Sequence, residues 1–251
     1  MSEIFSQKRK ILSRYERQKA LVAALRSERN PERKKFKEEI SKLLALEIRL
    51  GIPCSGEFSS AVSIDEDLEQ KIAAVISLRR RSCIADLEDF VREKHVDTLF
   101  ALYGVRRTGK TTMLLQSIAD IPAEERKKCA YILADADDTF ASLAIDLLNL
   151  QRLGKKYIFI DEATALGNFP DESSKFADIH ARDGLTIVLS GTDSLKIKLA
   201  MRSGLLGRII ETHTTRMLFS EWHAIQGKSL KKYIHSGGIL SGKNSERDPS
   251  P

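Results

Sequence analysis

The chain has 251 residues, of which 42% are hydrophobic, and this is enough to bury the core of one α/β domain with an extension. No apolar run approaches the roughly 18 to 20 residues of a membrane span, and charges occupy the N-terminal region where a signal peptide needs an apolar core. We therefore expect a cytoplasmic protein with no membrane segment. The net charge of +6 is concentrated in residues 1–50, which hold 14 basic and 7 acidic residues.

Residues 1–50 are predicted to form a basic helical hairpin. Ser2 to Arg29 contains no glycine or proline, and Pro31 suits the first turn of a second helix that ends near Gly51. The functional interpretation is an arm that binds nucleic acid or another protein. The alternative is a solvated hairpin whose charges serve solubility. Few aromatic residues accompany the charge, which argues against stacking on single-stranded bases.

Residues 51–64 are rich in Gly, Pro and Ser and are predicted to be a linker. Residues 65–95 are predicted to form helices that lead into the core. Ser63 to Glu66 has the pattern of a capping box at the start of the first of these helices, and the second covers roughly Ile84 to Lys94. Three arginines, Arg79 to Arg81, lie between the two helices. They could approach a nucleotide or a neighbouring subunit, or they could be solvated.

The core is predicted over residues 96–226 and begins with a phosphate-binding motif. A strand, Thr98 to Tyr103, precedes the pattern G-x-x-x-x-G-K-[ST], and a helix, Thr111 to Ile118, follows it. This strand-loop-helix setting is the one in which the pattern forms a P-loop, the Walker A motif. The predicted nucleotide-binding residues are Gly104, Val105, Arg106, Arg107, Thr108, Gly109, Lys110, Thr111 and Thr112.

The residue types of this loop match the chemistry of a triphosphate. Glycines allow close backbone approach, and the start of the helix adds unpaired N–H donors. Lys110 can reach the β- and γ-phosphates, and the Thr111 hydroxyl can ligate Mg²⁺. The sequence therefore predicts ATP and Mg²⁺ as ligands.

The second motif follows a second buried strand, Lys128 to Ala134, and a helix, Phe140 to Leu153. The strand Tyr157 to Ile160 runs directly into Asp161 and Glu162, as in a Walker B motif. Asp161 is predicted to hold Mg²⁺, and Glu162 is predicted to orient and activate water.

The next predicted strand, Leu185 to Leu189, ends in four polar or small residues. Ser190 and Thr192 are candidates for contacting the γ-phosphate or the attacking water, or for capping the next helix. A carboxylate at Asp193 would repel a triphosphate unless it is turned away. With a last strand over Arg208 to Thr212, the sequence predicts five strands, with the Ser190 strand between those of the P-loop and Asp161.

Six segments occur in the chain in the following order: GVRRTGKTTMLL, YIFIDEA, IVLSGTDSL, LLGRIIE, MLFSEWHAI and LKKYIHSGGIL. In these segments and their order, the chain resembles a large group of prokaryotic AAA-family ATPases of mostly unknown physiological role. The resemblance covers about Arg80 to Leu240. It implies an α/β three-layer P-loop NTPase fold with a parallel five-stranded sheet, and ATP and Mg²⁺ binding by the P-loop, Asp161 and Glu162. Arg208 falls on the family's Gly-Arg position. It is either a γ-phosphate sensor, in cis or across a subunit interface, or an exposed strand-edge arginine.

The resemblance also bears on the end of the chain. Members of this group normally continue into a further C-terminal domain, so we expect this domain to be lacking and residues 227–251 to be a short segment with a disordered tail. The strand-end motif of the group usually has serine at the position of Asp193.

Two functions remain open at the level of sequence. One is an ATPase, in which Lys110 and Glu162 act in Mg²⁺-dependent hydrolysis that drives a conformational change. The other is a nucleotide-binding switch with little turnover, whose state is read by a partner on the arm. A protein client of unknown identity is expected, and an oligomer is compatible with either function.

Overall fold

The computed structural model describes residues 2–27, 33–53, 55–93, 95 and 97–239. The predicted helix break at Pro31 and the predicted disordered tail lie outside the described residues. The helices are α1 Ser2–Ser27, α2 Arg33–Leu50, α3 Asp65–Ala73, α4 Ala85–Arg92, α5 Lys110–Ala119, α6 Ala123–Arg126, α7 Phe140–Arg152, α8 Phe169–Glu172, α9 Ser174–Asp183, α10 Ser194–Arg202, α11 Phe219–Gln226 and α12 Leu230–Ser236. The strands are β1 Ala61–Ser63, β2 Leu99–Gly104, β3 Cys129–Leu133, β4 Tyr157–Asp161, β5 Thr186–Gly191 and β6 Ile209–Thr214.

The strands form one sheet in the order β1-β3-β4-β5-β2-β6. From β3 to β6 all neighbouring strands are parallel, and these are the five strands that the sequence predicts. The strand β5 lies between β2 and β4, as predicted. Because the strands are parallel, the ends of β2, β4 and β5 that carry the motifs lie at one edge of the sheet.

A sixth strand corrects the predicted count. The strand β1 pairs antiparallel with β3, and it lies in the segment predicted to be a linker. Asp146 of α7 fixes this segment, because its carboxylate accepts hydrogen bonds from the backbone N–H groups of Ser59 (3.0 Å) and Ser60 (2.9 Å). The predicted capping box is also wrong. Ser63 belongs to β1, and the N-cap of α3 is Ile64, which has no side-chain hydrogen bond to the helix.

Hydrophobic layers cover both faces of the sheet. Alternate residues of β2 face opposite sides, so that Leu99 and Ala101 pack in one cluster, and Phe100 and Leu102 pack in the other. Helices α7, α9 and α10 supply the first cluster, and α3, α4 and α5 supply the second. A strand buried on both faces is an almost unbroken apolar run, which is why the sequence predicts it.

The two N-terminal helices pack against each other, and α2 also packs against α7. Val22 of α1 and Leu44 of α2 belong to a small buried cluster of their own. Lys37 of α2 is buried, and its Nζ lies 2.8 Å from Asp135 Oδ1 and 2.8 Å from Asp138 Oδ1. These two aspartates follow β3, so the second helix is anchored at the edge of the sheet that carries the motifs.

Candidate nucleotide-binding site

The P-loop connects the end of β2 to the start of α5. Gly104 has φ of +148°, and a Cβ on it would lie 2.2 Å from the Thr214 carbonyl oxygen. Arg107 and Gly109 also have positive φ, at +63° and +89°. Left-handed residues in such a turn make successive N–H groups converge, which forms a concave anion site. The loop therefore has the backbone geometry that a phosphate group requires.

The side chains of the loop divide into a solvent-facing set and a buried set. Val105, Arg106 and Arg107 are exposed, whereas Thr108 is fully buried. The Thr108 hydroxyl donates to Val105 O at 2.9 Å and lies 2.9 Å from Thr214 Oγ1. One end of the loop is thus tied to β6 while its middle stays accessible. Thr112 is half-buried in the first turn of α5.

Lys110 lies against the loop that it follows. Its side chain is buried, and its Nζ donates to Gly104 O at 2.8 Å and to Val105 O at 2.9 Å. Burial lowers the pKa of Lys110, although the negative charges of Glu162 and Asp161 oppose this shift. The ammonium group is therefore positioned at the predicted phosphate site.

Asp161, at the end of β4, is only 1% exposed, and its carboxylate accepts four hydrogen bonds. Its Oδ2 accepts from Thr111 Oγ1 at 2.6 Å and from the Tyr131 hydroxyl at 2.8 Å. Its Oδ1 accepts from Ser190 Oγ and from the Glu162 N–H, the latter at 3.1 Å. The structure thus brings together the two predicted Mg²⁺ ligands, Thr111 and Asp161.

Tyr131 is a site residue that the sequence analysis missed. It lies on β3, where its register partner on β4 is Phe159, two residues before Asp161. Burial raises the pKa of Tyr131, and the negative charge of Asp161 raises it further. The hydroxyl therefore stays protonated and donates. A hydroxyl-bearing residue near the end of the strand beside β4 is the signal that could have found it.

The backbone turns out of the extended conformation at Glu162, the residue after β4. Its φ is +56°, a left-handed conformation that costs a residue with a side chain roughly 1–2 kcal/mol. Its Oε2 accepts from Thr192 Oγ1 at 3.0 Å, and its N–H donates to Ser190 Oγ at 3.2 Å. Ser190 and Thr192 therefore contact Asp161 and Glu162, the two acidic residues of the predicted Walker B motif.

The cap of α10 is Asp193. Its Oδ1 accepts from the N–H groups of Leu195 and Lys196, both at 3.1 Å. This corrects the alternative in which Ser190 or Thr192 caps the helix. The Asp193 carboxylate is turned toward the helix start, which is the arrangement that the sequence analysis required for a triphosphate to be tolerated.

The donor set fits a magnesium ion that is bound together with a triphosphate. One hydroxyl and one carboxylate lie side by side at the start of α5, and Mg²⁺ commonly takes its other ligands from phosphates and water. Among the described residues, no group of three or more His, Cys, Asp or Glu side chains could hold a metal alone. Thr111 and Asp161 are therefore the residues that would hold Mg²⁺.

Arg208 lies away from this cluster, which corrects the prediction of γ-phosphate sensing in cis. It precedes β6, and its carbonyl oxygen accepts from the Leu99 N–H at 2.9 Å, at the start of β2. Gly104 is five residues further along β2, roughly 17 Å away at strand spacing. The guanidinium of Arg208 pairs with Asp97 and with Asp178. Sensing across a subunit interface stays a prediction.

The run Arg79 to Arg81, for which an approach to a nucleotide and solvation were both left open, divides in the structure. Arg80 pairs with Asp120 and Glu88 on the surface. Arg81 is buried, and it donates to Thr108 O in the P-loop at 2.8 Å. The alternative in which the whole run is solvated is therefore wrong for Arg81, which contacts the P-loop.

A family comparison agrees with this geometry. The sequence model of the family described as "AAA domain" matches residues 96–223, about half of the chain. The chain belongs to the AAA domain family. Its core is a P-loop nucleotide-binding domain of the AAA type, and the predicted fold class is confirmed. No curated protein sequence matches the chain at a significant level.

Three solved structures align with part of this chain at low sequence identity. A Saccharomyces cerevisiae Hsp104:casein complex is 18% identical, with a TM-score of 0.46 over 68% of this chain and 33% of that chain. Caenorhabditis elegans PCH-2 is 15% identical, with a TM-score of 0.40 over 71% of this chain and 50% of that one. Aeropyrum pernix ORC1 in complex with DNA is 16% identical, with a TM-score of 0.41 over 67% and 52%. This chain thus spans a third to a half of those proteins.

None of the helices within the described residues combines the length and the apolar character needed to cross a membrane.

Proposed function

We propose that this protein binds ATP together with Mg²⁺ at the P-loop and hydrolyses it. The observation that carries the proposal is the 2.6 Å hydrogen bond between Thr111 and Asp161, beside the buried ammonium of Lys110. A hydroxyl and a carboxylate at that distance fit one small cation, and a lysine next to them fits the phosphates that share it.

Each residue of the site has a distinct role in the proposed reaction. Backbone N–H groups of the P-loop and the start of α5 bind the phosphates, and Lys110 pairs with their outer oxygens. Bound Mg²⁺ would offset the charge that develops on the phosphate oxygens. Glu162 accepts the proton of the attacking water. Ser190 and Thr192 hold the carboxylates of Asp161 and Glu162 in place.

A second candidate is a nucleotide-dependent switch with little turnover. The hydrogen bond from Thr192 Oγ1 to Glu162 Oε2 favours it, since this carboxylate oxygen is already engaged by a side chain and is less available to an attacking water. In this case nucleotide binding, and not hydrolysis, would set the state that a partner reads.

Steady-state hydrolysis in the presence of Mg²⁺, combined with direct measurement of ATP binding, distinguishes the two. For an ATPase, we expect turnover in the wild type, loss of binding in Lys110→Ala, and binding without turnover in Glu162→Gln. Binding without turnover in the wild type as well would support the switch. Absence of ATP binding in the wild type would refute both.

Exposed basic residues on α1 are compatible with the predicted binding of nucleic acid by the N-terminal arm. Five basic residues of α1, here called the α1 basic set, are exposed, and no ion pair involves them within the described part of the chain: Lys8, Arg9, Lys10, Arg14 and Lys19. Unpaired cations on one helix fit phosphate backbones. A protein client, an oligomeric assembly and a cytoplasmic location stay predictions.

A further inference from the structure

Arg81 is a buried arginine that joins three segments distant in sequence. It is 6% exposed, and its guanidinium donates to Thr108 O at 2.8 Å and to Thr215 O at 3.1 Å. Its Nε and Nη2 donate to the two carboxylate oxygens of Glu221, at 3.1 and 2.9 Å. One side chain thus links the P-loop, the segment after β6 and the helix α11.

The bond to Thr108 O fixes the orientation of a peptide group in the P-loop. In a trans peptide, the C=O and the following N–H point in opposite directions. Because the Thr108 carbonyl points toward Arg81, the Gly109 N–H must point away from Arg81. Gly109 is the N-cap of α5, where N–H groups face the phosphates of a P-loop. Arg81 thereby holds this donor in the binding orientation.

Glu221 holds Arg81 from the opposite side. Its Oε1 also accepts from the Ser82 N–H at 3.0 Å and from Ser82 Oγ at 3.3 Å. Burial acts to raise the pKa of Glu221, but the hydrogen bonds from Arg81 and Ser82 outweigh it and keep the pKa below its usual value. The carboxylate is charged at neutral pH, so the pair is a bidentate, charge-assisted contact with fixed geometry.

We propose that Arg81 and Glu221 are positioning residues for the P-loop, so that α11 sets the affinity of the loop for phosphates. This inference rests on the proposed function, because the phosphates are those of ATP. Neither residue is assigned a contact with the nucleotide. Both act through the Thr108–Gly109 peptide, and a change at α11 would therefore reach the nucleotide site through a single guanidinium.

The test combines two variants of the link with a control at the adjacent arginine. Arg81→Met removes the guanidinium but keeps an extended side chain, and Glu221→Gln keeps the shape but removes the charge. Arg80→Met is the matched control, because Arg80 also pairs with two carboxylates, Asp120 and Glu88, but they lie outside the P-loop. All variants are compared at a temperature at which circular dichroism shows them folded.

Two measurements separate positioning from a general loss of stability. The first is the affinity for Mg²⁺-ATP, which we expect to fall roughly tenfold to a hundredfold in Arg81→Met, by less in Glu221→Gln, and not in Arg80→Met. The double variant should bind as weakly as Arg81→Met alone, since Glu221 acts through Arg81. The second is amide hydrogen exchange over residues 104–111 without nucleotide, which should be faster in both link variants than in Arg80→Met.

Each outcome decides one question. Unchanged affinity and unchanged exchange in Arg81→Met, with normal ATP binding by the wild type, would overturn the inference and leave the proposed function intact. Equal losses in Arg80→Met and Arg81→Met would also overturn it, because the effect would then come from stability. Failure of the wild type and of Arg80→Met to bind ATP would overturn the proposed function, and the inference with it.

Discussion

Substitution of Gly104 by alanine tests how tightly the end of β2 is enclosed. The added methyl group would lie 2.2 Å from Thr214 O and 2.4 Å from Thr214 Oγ1, far inside van der Waals contact. One of these atoms belongs to the backbone of β6, so a side-chain rotation cannot relieve the clash. The positive φ of +148° costs about 1–3 kcal/mol, and overpacking adds about 1–3 kcal/mol. We expect the free energy of unfolding to fall by about 4 kcal/mol.

Two other glycines separate the conformational and the steric contributions. Gly154 has φ of +78°, and a Cβ on it would have no atom within 4 Å, so its alanine variant should lose about 1–2 kcal/mol. Gly167 has open space and no such φ, and its variant should stay within about 0.5 kcal/mol of wild type. Urea unfolding can be followed by the fluorescence of the single tryptophan, Trp222, which is 1% exposed. If Gly104→Ala is no more destabilising than Gly154→Ala, the close approach to β6 is refuted.

Three further predictions follow from the site, the surface and the arm. Tyr131→Phe should raise the Mg²⁺ concentration for half-maximal ATP binding or hydrolysis about tenfold, because the Asp161 carboxylate loses an orienting donor; an unchanged Mg²⁺ titration would contradict this role. The hydrogen bond from Arg80 holds the pKa of Asp120 below its usual value. The wild type should therefore have a higher free energy of unfolding than Asp120→Asn, and urea unfolding at several pH values measures this difference. The difference should be fully present above about pH 4 and should disappear as the pH falls through the lowered pKa of Asp120. A constant difference down to about pH 2 would refute it. Glutamine at the α1 basic set should abolish any salt-sensitive binding of duplex DNA, and binding that persists would exclude this helix as the contact.

The sequence was sufficient for β2, β3, β4 and β5 because each is a largely buried apolar run between the helical layers. The strand β6 is only partly buried, and its apolar signal is limited to Ile209 and Ile210. The sequence was not sufficient for β1, which has three residues in a segment rich in serine and glycine. The position of β1 depends on hydrogen bonds from Ser59 and Ser60 to Asp146, more than eighty residues later in the chain. The composition of residues 51–64 does not indicate a hydrogen-bond partner so far away in the sequence. The same reason explains why Ser63 has the pattern of a helix cap but belongs to a strand.

The residues of the candidate site also differ in whether a local sequence pattern identifies them. Lys110, Thr111 and Asp161 belong to local patterns, and the structure brings them together as predicted. Tyr131 has no local signature, because its role comes from the register of β3 beside β4. The arginine run was visible in the sequence, but only the structure shows that Arg81 is the member that contacts the P-loop backbone. Arg208 shows the opposite error. Its place in a family motif suggested a phosphate contact, but motif position does not tell which end of the sheet a residue occupies.

The hydrophobic cluster beneath α5 limits where this chain can be cut into fragments or recombined with a relative. Leu68 of α3 and Leu87 and Phe90 of α4 pack in that cluster with Met113 and Leu114, yet they precede residue 96, where the family match begins. A fragment that starts there would expose this apolar face and should aggregate. Recombination between relatives at residue 96 would likewise divide one core between two parents. A crossover ahead of β1 would keep that core intact, so the folding unit is longer than the segment that the family model matches.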